Sequence, residues 1–193
     1  MKSKIKKVAV LGSGVMGAQI AGHLANAGIS SFLFDLKKSD VENSKESLKK
    51  LKPAPLYMPK NINLIHPCTY DEDIKKIKEV DWVIEVVTED LNIKNKVYDK
   101  VLPYLSKTAI LSSNTSGIPL VQLIGSLPAN VKKRFLITHF FNPPRYMHLL
   151  ELIKGEFTSN ETYQLMVDFC NSVLGKGIVH AKDTPNFIGN RIG

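Results

Sequence analysis

The sequence is poor in cysteine, in arginine and in long apolar runs. Two cysteines in 193 residues, Cys68 and Cys170, cannot build a disulfide framework, and neither stands in a metal-ligand spacing. That removes the disulfide-scaffold class and argues against structural zinc or an iron–sulfur centre; the expectation is two reduced thiols in a cytoplasmic protein without a metal. No apolar run approaches the roughly 18 residues needed to cross a membrane. The start, Met1-Lys2-Ser3-Lys4, leads directly into a strand-like run with no signal core or cleavage site.

Arginine is scarce although the chain is basic. Of 26 basic residues only Arg134, Arg145 and Arg191 are arginine, and the net charge is +8. Base readout in nucleic acids favours the arginine fork, and no nucleic-acid motif is present. The lysines stand among acidic residues, as in Lys45-Glu46-Ser47-Leu48-Lys49-Lys50. The expected partner is therefore neither a nucleic acid nor a membrane. A solvated lysine-rich surface is the plain reading, and its field would favour an anionic small molecule. With 44% hydrophobic and 23% charged residues, the chain has the balance of a globular protein of one domain, or one domain plus an appendage.

Short apolar runs alternate with longer amphipathic stretches. Strands are expected at Val8–Leu11, Phe32–Phe34, Ile62–Ile65, Trp82–Val87, Ala109–Leu111, Phe135–Phe141, Leu149–Ile153 and Ile178–His180. Helices are expected at Met16–Ala27, Ser39–Leu51, about Thr69 to Lys78, Leu91–Leu105, Leu120–Ile124 and about Thr158 to Leu174. Ser39 with Glu42, Thr69 with Glu72 and Thr158 with Glu161 have capping-box spacing. The early strands are nearly uninterrupted in apolar character, which suits a sheet buried on both faces. The fold class is α/β: a Rossmann-like, doubly wound, mostly parallel sheet with helices on both faces. The proline-rich stretch from Pro53 to Pro59 reads as a loop inside the domain.

The first strand ends in Gly12-Ser13-Gly14-Val15-Met16-Gly17, and a helix opens there. This is G-x-G-x-x-G in the strand–turn–helix context that gives it meaning. Gly12 permits the tight turn, Gly14 leaves room for a pyrophosphate, and Gly17 lets the helix pack closely. The N–H groups of the first turn, including those of Val15 and Met16, then face the phosphates. Asp35 ends the second strand 18 residues after Gly17, near the usual spacing of about 20. A carboxylate there accepts from the ribose hydroxyls and repels a 2′-phosphate, which favours NAD over NADP. Lys37 and Lys38 blur that preference.

Two polar residues interrupt apolar strands: His139 in Thr138-His139-Phe140-Phe141-Asn142-Pro143-Pro144, and Glu151 in Leu149-Leu150-Glu151-Leu152-Ile153. They lie six residues on either side of Arg145, so an antiparallel hairpin about Arg145 sets them opposite each other. A carboxylate beside an imidazole fixes its tautomer and raises its basicity. The residues by themselves leave two readings open, a catalytic base with its partner or a core histidine beside a glutamate.

Five motifs in order carry a resemblance. They are Gly12 to Gly17, Asp81 to Leu91, Ser113-Asn114-Thr115-Ser116, His139-Phe140-Phe141-Asn142-Pro143, and Lys182 to Arg191. The chain resembles the 3-hydroxyacyl-CoA dehydrogenases of fatty-acid β-oxidation over nearly its whole length, most closely the NAD domain of the long bacterial form. The resemblance implies an NAD-dependent oxidation of L-3-hydroxyacyl-CoA with His139 as base and Glu151 orienting it. It implies that Ser116 and Asn190 bind the substrate's reacting oxygen and thioester region. Asn114 would stand at the nicotinamide end, and Glu89 and Lys94 at cofactor-contacting positions. The family's CoA-contacting serine and lysine do not map clearly; Ser47 and Lys52 are candidates. The expected division is residues 1–184 as NAD-binding domain and 185–193 as the start of a helix linking to the family's helical C-terminal domain. That domain, or a second copy of the chain, is the implied protein partner. A catalytically silent NAD-binding remnant, a 3-hydroxybutyryl-CoA dehydrogenase and a sugar-acid dehydrogenase of the same superfamily are the alternatives.

Overall fold

The computed structural model describes residues 5–184 and 187–188. Eight strands form one sheet in the order β3-β2-β1-β4-β5-β6-β7-β8. In chain order the elements are β1 (Lys7–Leu11), α1 (Val15–Asn26), β2 (Ser30–Asp35), α2 (Lys38–Ser47), β3 (Ile65–Thr69), α3 (Tyr70–Asp73), β4 (Trp82–Glu85) and α4 (Leu91–Val101). Then follow β5 (Ile110–Ser113), α5 (Leu120–Leu123), α6 (Ala129–Lys132), β6 (Phe135–Phe140), β7 (Leu149–Lys154), α7 (Asn160–Ser172) and β8 (Gly177–Ala181). Strands β1 to β6 are parallel, β6 and β7 pair antiparallel, and β8 runs parallel to β7.

The alternation of side chains along each strand divides the core in two. Val8, Val10, Trp82, Ile84, Leu136 and Leu152 pack with α1, α2 and α7. Ala9, Leu11, Val83, Leu111, Ile137 and Ile153 face the opposite way, toward α4, α5 and α6. A sheet covered on both faces needs apolar residues on both sides, which is why the strands read as continuous apolar runs. The order reverses between β1 and β4, and at such a switch point the loops after the two strands diverge and leave a crevice.

Several local expectations are corrected. Ile62–Ile65 is not the third strand: Pro59–Leu64 is a 3-10 turn, and the strand begins at Ile65. Strand β3 lies at the sheet edge, where Pro67 is tolerated because one side of its backbone needs no partner. Ser39 and Glu42 form no capping box, because α2 begins one residue earlier with Lys37 as its cap. Thr69 does accept from Glu72 N, but its own N–H goes to Asp73. Helix α7 is capped by Ser159, which accepts from Thr162 N, while the Thr158 hydroxyl donates to Phe135 O. Helix α4 ends at Val101 and passes into a 3-10 turn, and α6 was not expected. The 185–193 segment, apart from Phe187 and Ile188, lies outside the described residues.

Candidate active site

The glycine loop sits at the switch point. Gly12 has φ +109°, and a Cβ there would stand 2.8 Å from the Val86 carbonyl oxygen after β4. A Cβ on Gly17 would stand 1.8 Å from the Gly12 carbonyl oxygen, so only glycine lets α1 start this close to the loop. At Gly14 the same test meets nothing within 4 Å, which is the open approach that a diphosphate requires. The N–H groups of Val15, Met16 and Gly17 have no acceptor within the helix, by the geometry of any helix start. Asp35 closes the cradle: its carboxylate accepts from Ser13 N and Ser13 Oγ, both at 2.8 Å, and from Leu36 N. The residues present therefore suit a dinucleotide.

The hairpin has the register that the sequence implied, with His139 opposite Glu151. Glu151 is fully buried and its Oε2 lies 2.7 Å from His139 Nδ1. Its other oxygen accepts from Ile188 N at 2.9 Å. Facing a carboxylate, Nδ1 carries the proton, and Nε2 keeps its lone pair. Ser116 Oγ stands 3.3 Å from that Nε2. Phe141 and Phe187 lie against the imidazole, with ring centroids 4.6 and 5.7 Å away.

The hairpin loop is fastened from three sides. Gln19 on α1 donates to Asn142 Oδ1. Arg145 donates to the Ala54 and Leu56 carbonyls and stacks between Tyr57 and Tyr146. Lys176 donates to the Pro144 and Met147 carbonyls, and its burial pulls its pKa down to about 8. Asn114 binds β5 to β6 by accepting from Phe140 N at 2.9 Å.

Glu89 clamps the turn that carries Ser116. One of its oxygens accepts from Thr115 Oγ1, Ser116 N and Gly117 N. Half-burial would raise its pKa, but the Thr115 hydroxyl, the Lys94 charge and the two N–H groups hold the carboxyl below its ordinary value. Lys94 is 1% exposed, and its ammonium binds Glu85 and Glu89. It thus stands behind the clamp rather than in the open crevice. Ser47 turns its hydroxyl onto its own helix at Ser44 O, and Lys52 is exposed on the following loop. Asn190 lies outside the described residues. The groups assigned no role of their own from the sequence are Ser13, Gln19, Glu85, Thr115 and Lys176. A charged residue within an apolar strand run was the available signal for Glu85.

Residues 7–184 match the family described as 3-hydroxyacyl-CoA dehydrogenase, NAD binding domain. The chain belongs to this family. The matched part is the NAD-binding domain of that family. A putative fatty acid oxidation complex trifunctional enzyme of Rickettsia felis is 48% identical over 200 residues, covering 100% of this chain and 28% of that protein. A probable 3-hydroxyacyl-CoA dehydrogenase of Bacillus subtilis is 44% identical over 214 residues, again covering 100% of the chain but 27% of the relative. The chain thus spans little more than a quarter of these relatives. The crystal structure of (S)-3-hydroxybutyryl-CoA dehydrogenase from Ralstonia eutropha superposes with a TM-score of 0.83 at 30% identity, covering 98% of this chain and 68% of that one. Among the described residues no helix is long and apolar enough to cross a membrane.

Proposed function

We propose that this chain carries the NAD-binding and proton-transfer half of a cytoplasmic enzyme that oxidises L-3-hydroxyacyl-CoA to 3-oxoacyl-CoA in fatty-acid β-oxidation. The supporting observation is the buried His139–Glu151 pair, held at 2.7 Å on the hairpin that ends beside the glycine cradle. When bound, NAD supplies the hydride acceptor. His139 Nε2 takes the proton of the 3-hydroxyl, and Glu151 stabilises the imidazolium that results. The Ser116 hydroxyl faces the same nitrogen and is placed to donate to the substrate oxygen as its charge develops. Asn114 stands at the nicotinamide end, and Asn190 would complete the polar contacts to the thioester. Residues 1–184 serve as the NAD-binding domain, and the acyl side of the site belongs to a following helical domain.

The test is oxidation of NADH on adding acetoacetyl-CoA, run on the 193-residue chain and on the chain fused to a relative's helical domain. The fused chain is expected to turn over, and His139→Gln to slow it about 100- to 10,000-fold with NADH binding retained. A His139→Gln rate close to that of the parent would remove His139 from the mechanism. NADH binding without turnover in both forms would favour a silent cofactor-binding remnant. The likeness to (S)-3-hydroxybutyryl-CoA dehydrogenase of Ralstonia eutropha favours short acyl chains as the second reading, and rates across acyl lengths separate the two.

A further inference from the structure

Glu85, at the C-terminal end of β4, is fully buried and receives four donors. Its Oε1 accepts from Val87 N at 2.7 Å and Lys94 Nζ at 2.8 Å. Its Oε2 accepts from Ser113 Oγ at 2.6 Å and Tyr98 OH at 3.1 Å. Two arms lead from this carboxylate to one turn. In the first, the Ser113 hydroxyl gives its only hydrogen to Glu85, so its lone pairs are free to accept from Thr115 N at 3.2 Å. In the second, Lys94 Nζ bridges Glu85 to Glu89 Oε2, 3.3 Å away, and Glu89 grips Thr115, Ser116 and Gly117. The main chain adds a third link, Asn114 N to Glu85 O at 2.8 Å. What the turn presents to the hairpin is Ser116 Oγ, opposite His139 Nε2.

We propose that Glu85 is a positioning residue: its carboxylate, touching neither cofactor nor substrate, sets the Ser116 hydroxyl against His139 through the Ser113 and Lys94–Glu89 arms. The proposal rests on the reading of His139 and Ser116 given above. The chemistry requires a carboxylate because the site supplies donors on both sides. An amide must turn its NH2 toward Val87 N–H and Lys94, which cannot accept, or toward Ser113 and Tyr98, whose hydroxyls must then reverse. Either way Lys94 loses its buried counter-charge and keeps Glu89 as its one carboxylate, beside the neutral Val87 carbonyl, and the turn moves. A buried network of this kind couples its members, so the effect at Ser116 should exceed that of a single lost bond.

The experiment compares Glu85→Gln, Ser116→Ala and the double variant in the acetoacetyl-CoA assay on the fused chain. A parallel measurement follows the His139 ring nitrogens by 15N NMR in the 193-residue chain. Glu85→Gln is expected to lower kcat about 10- to 100-fold, the cost of displacing a positioning group by roughly 1 Å. In the Ser116→Ala background that loss should vanish, and the Nε2 signal of Glu85→Gln should move as it does in Ser116→Ala. Additive losses, or an unmoved Nε2 signal in folded Glu85→Gln, overturn the proposal. Trp82→Phe, on the same strand as Glu85, removes a buried donation to Ser112 of β5; it controls for general destabilisation and should leave both readouts as in the parent. If Glu85→Gln does not fold, Ser113→Ala cuts one arm without removing a charge and carries the same test. A parent without turnover sinks the activity reading alone, because the nitrogen signal still decides the positioning.

Discussion

Glu151→Gln separates the two things that the carboxylate does. In the native site Oε2 takes the Nδ1 proton at 2.7 Å and Oε1 takes Ile188 N–H at 2.9 Å. An amide has one oxygen for these two donors. If the oxygen keeps Nδ1, the NH2 group confronts Ile188 N–H, and a neutral bond replaces a charge-assisted one as the imidazolium forms. A bond to a charged group contributes about 1.5–3 kcal/mol and a neutral one about 0.5–1.5, so the difference is about 1–1.5 kcal/mol, or roughly 5- to 13-fold in rate at about tenfold per 1.36 kcal/mol. If the oxygen instead keeps Ile188, the NH2 donates to Nδ1 and the ring proton moves to Nε2. That nitrogen can then no longer take the substrate's proton, and the loss approaches the roughly 10,000-fold upper range for losing a general base. Initial rates of NADH oxidation with acetoacetyl-CoA on the fused chain measure the loss, and NADH fluorescence titration shows whether the cradle is intact. A Glu151→Gln enzyme within about threefold of the parent, with NADH binding unchanged, would refute the tautomer argument.

The unmodified chain should bind NADH about tenfold or more tightly than NADPH, because Asp35 stands where a 2′-phosphate would come, and Asp35→Asn should narrow the gap in fluorescence titration; equal binding by the parent would overturn this. Gly17→Ala forces a methyl group to 1.8 Å from the Gly12 carbonyl oxygen, so NADH affinity should fall about tenfold or more and the Tm should drop, both readable on one purified variant. His23 on α1 is buried against Leu174 O, and its burial, reinforced by the Lys176 charge, lowers its pKa from 6.5 to about 4. Between those values the unfolded chain binds a proton that the folded chain does not. Stability is therefore whole above the unfolded value and declines as pH falls toward about 4, by about 3 kcal/mol in all. Urea midpoints near neutrality and near pH 5 should converge in His23→Gln; an unchanged slope would remove His23 as the cause.

The parts of this structure that were legible in the sequence are those where one periodicity or one local geometry decides the outcome. The glycine loop is such a case, since Gly12 and Gly17 are each required by a nearby carbonyl. The hairpin is another: once two apolar strands flank a short loop, pairing about Arg145 follows, and with it His139 against Glu151. The misplaced third strand shows the limit. Ile62 and Leu64 alternate as a strand would, but Pro59 starts a 3-10 turn, and the true strand contains His66 and Pro67, poor strand formers that an edge tolerates. Thr158 reads as a cap, yet its hydroxyl serves a distant carbonyl at Phe135, which only tertiary structure reveals. Glu85 lies within the Asp81 to Leu91 motif but received no role, because four consecutive β4 positions are buried and a run of that kind is read for its apolar members. Its side-chain partners come from α4 and β5, nine to 28 residues away, and no local pattern links them.

The single antiparallel pairing among the described strands, β6 with β7, one strand in from the β8 edge, has a consequence for how the site comes into being. His139 and Glu151 are only 12 residues apart, so their meeting costs little loop-closure entropy and can precede the rest of the sheet. The cradle is assembled the opposite way: Gly12 meets Val86 only after β1 and β4, 74 residues apart in that contact, have been brought side by side. Contacts of such different range carry different loop-closure costs. The proton-handling half of this fold therefore needs only a local hairpin, whereas the glycine cradle needs strands drawn from distant parts of the chain, and the Asn114 side chain ties the hairpin's first strand, β6, to β5.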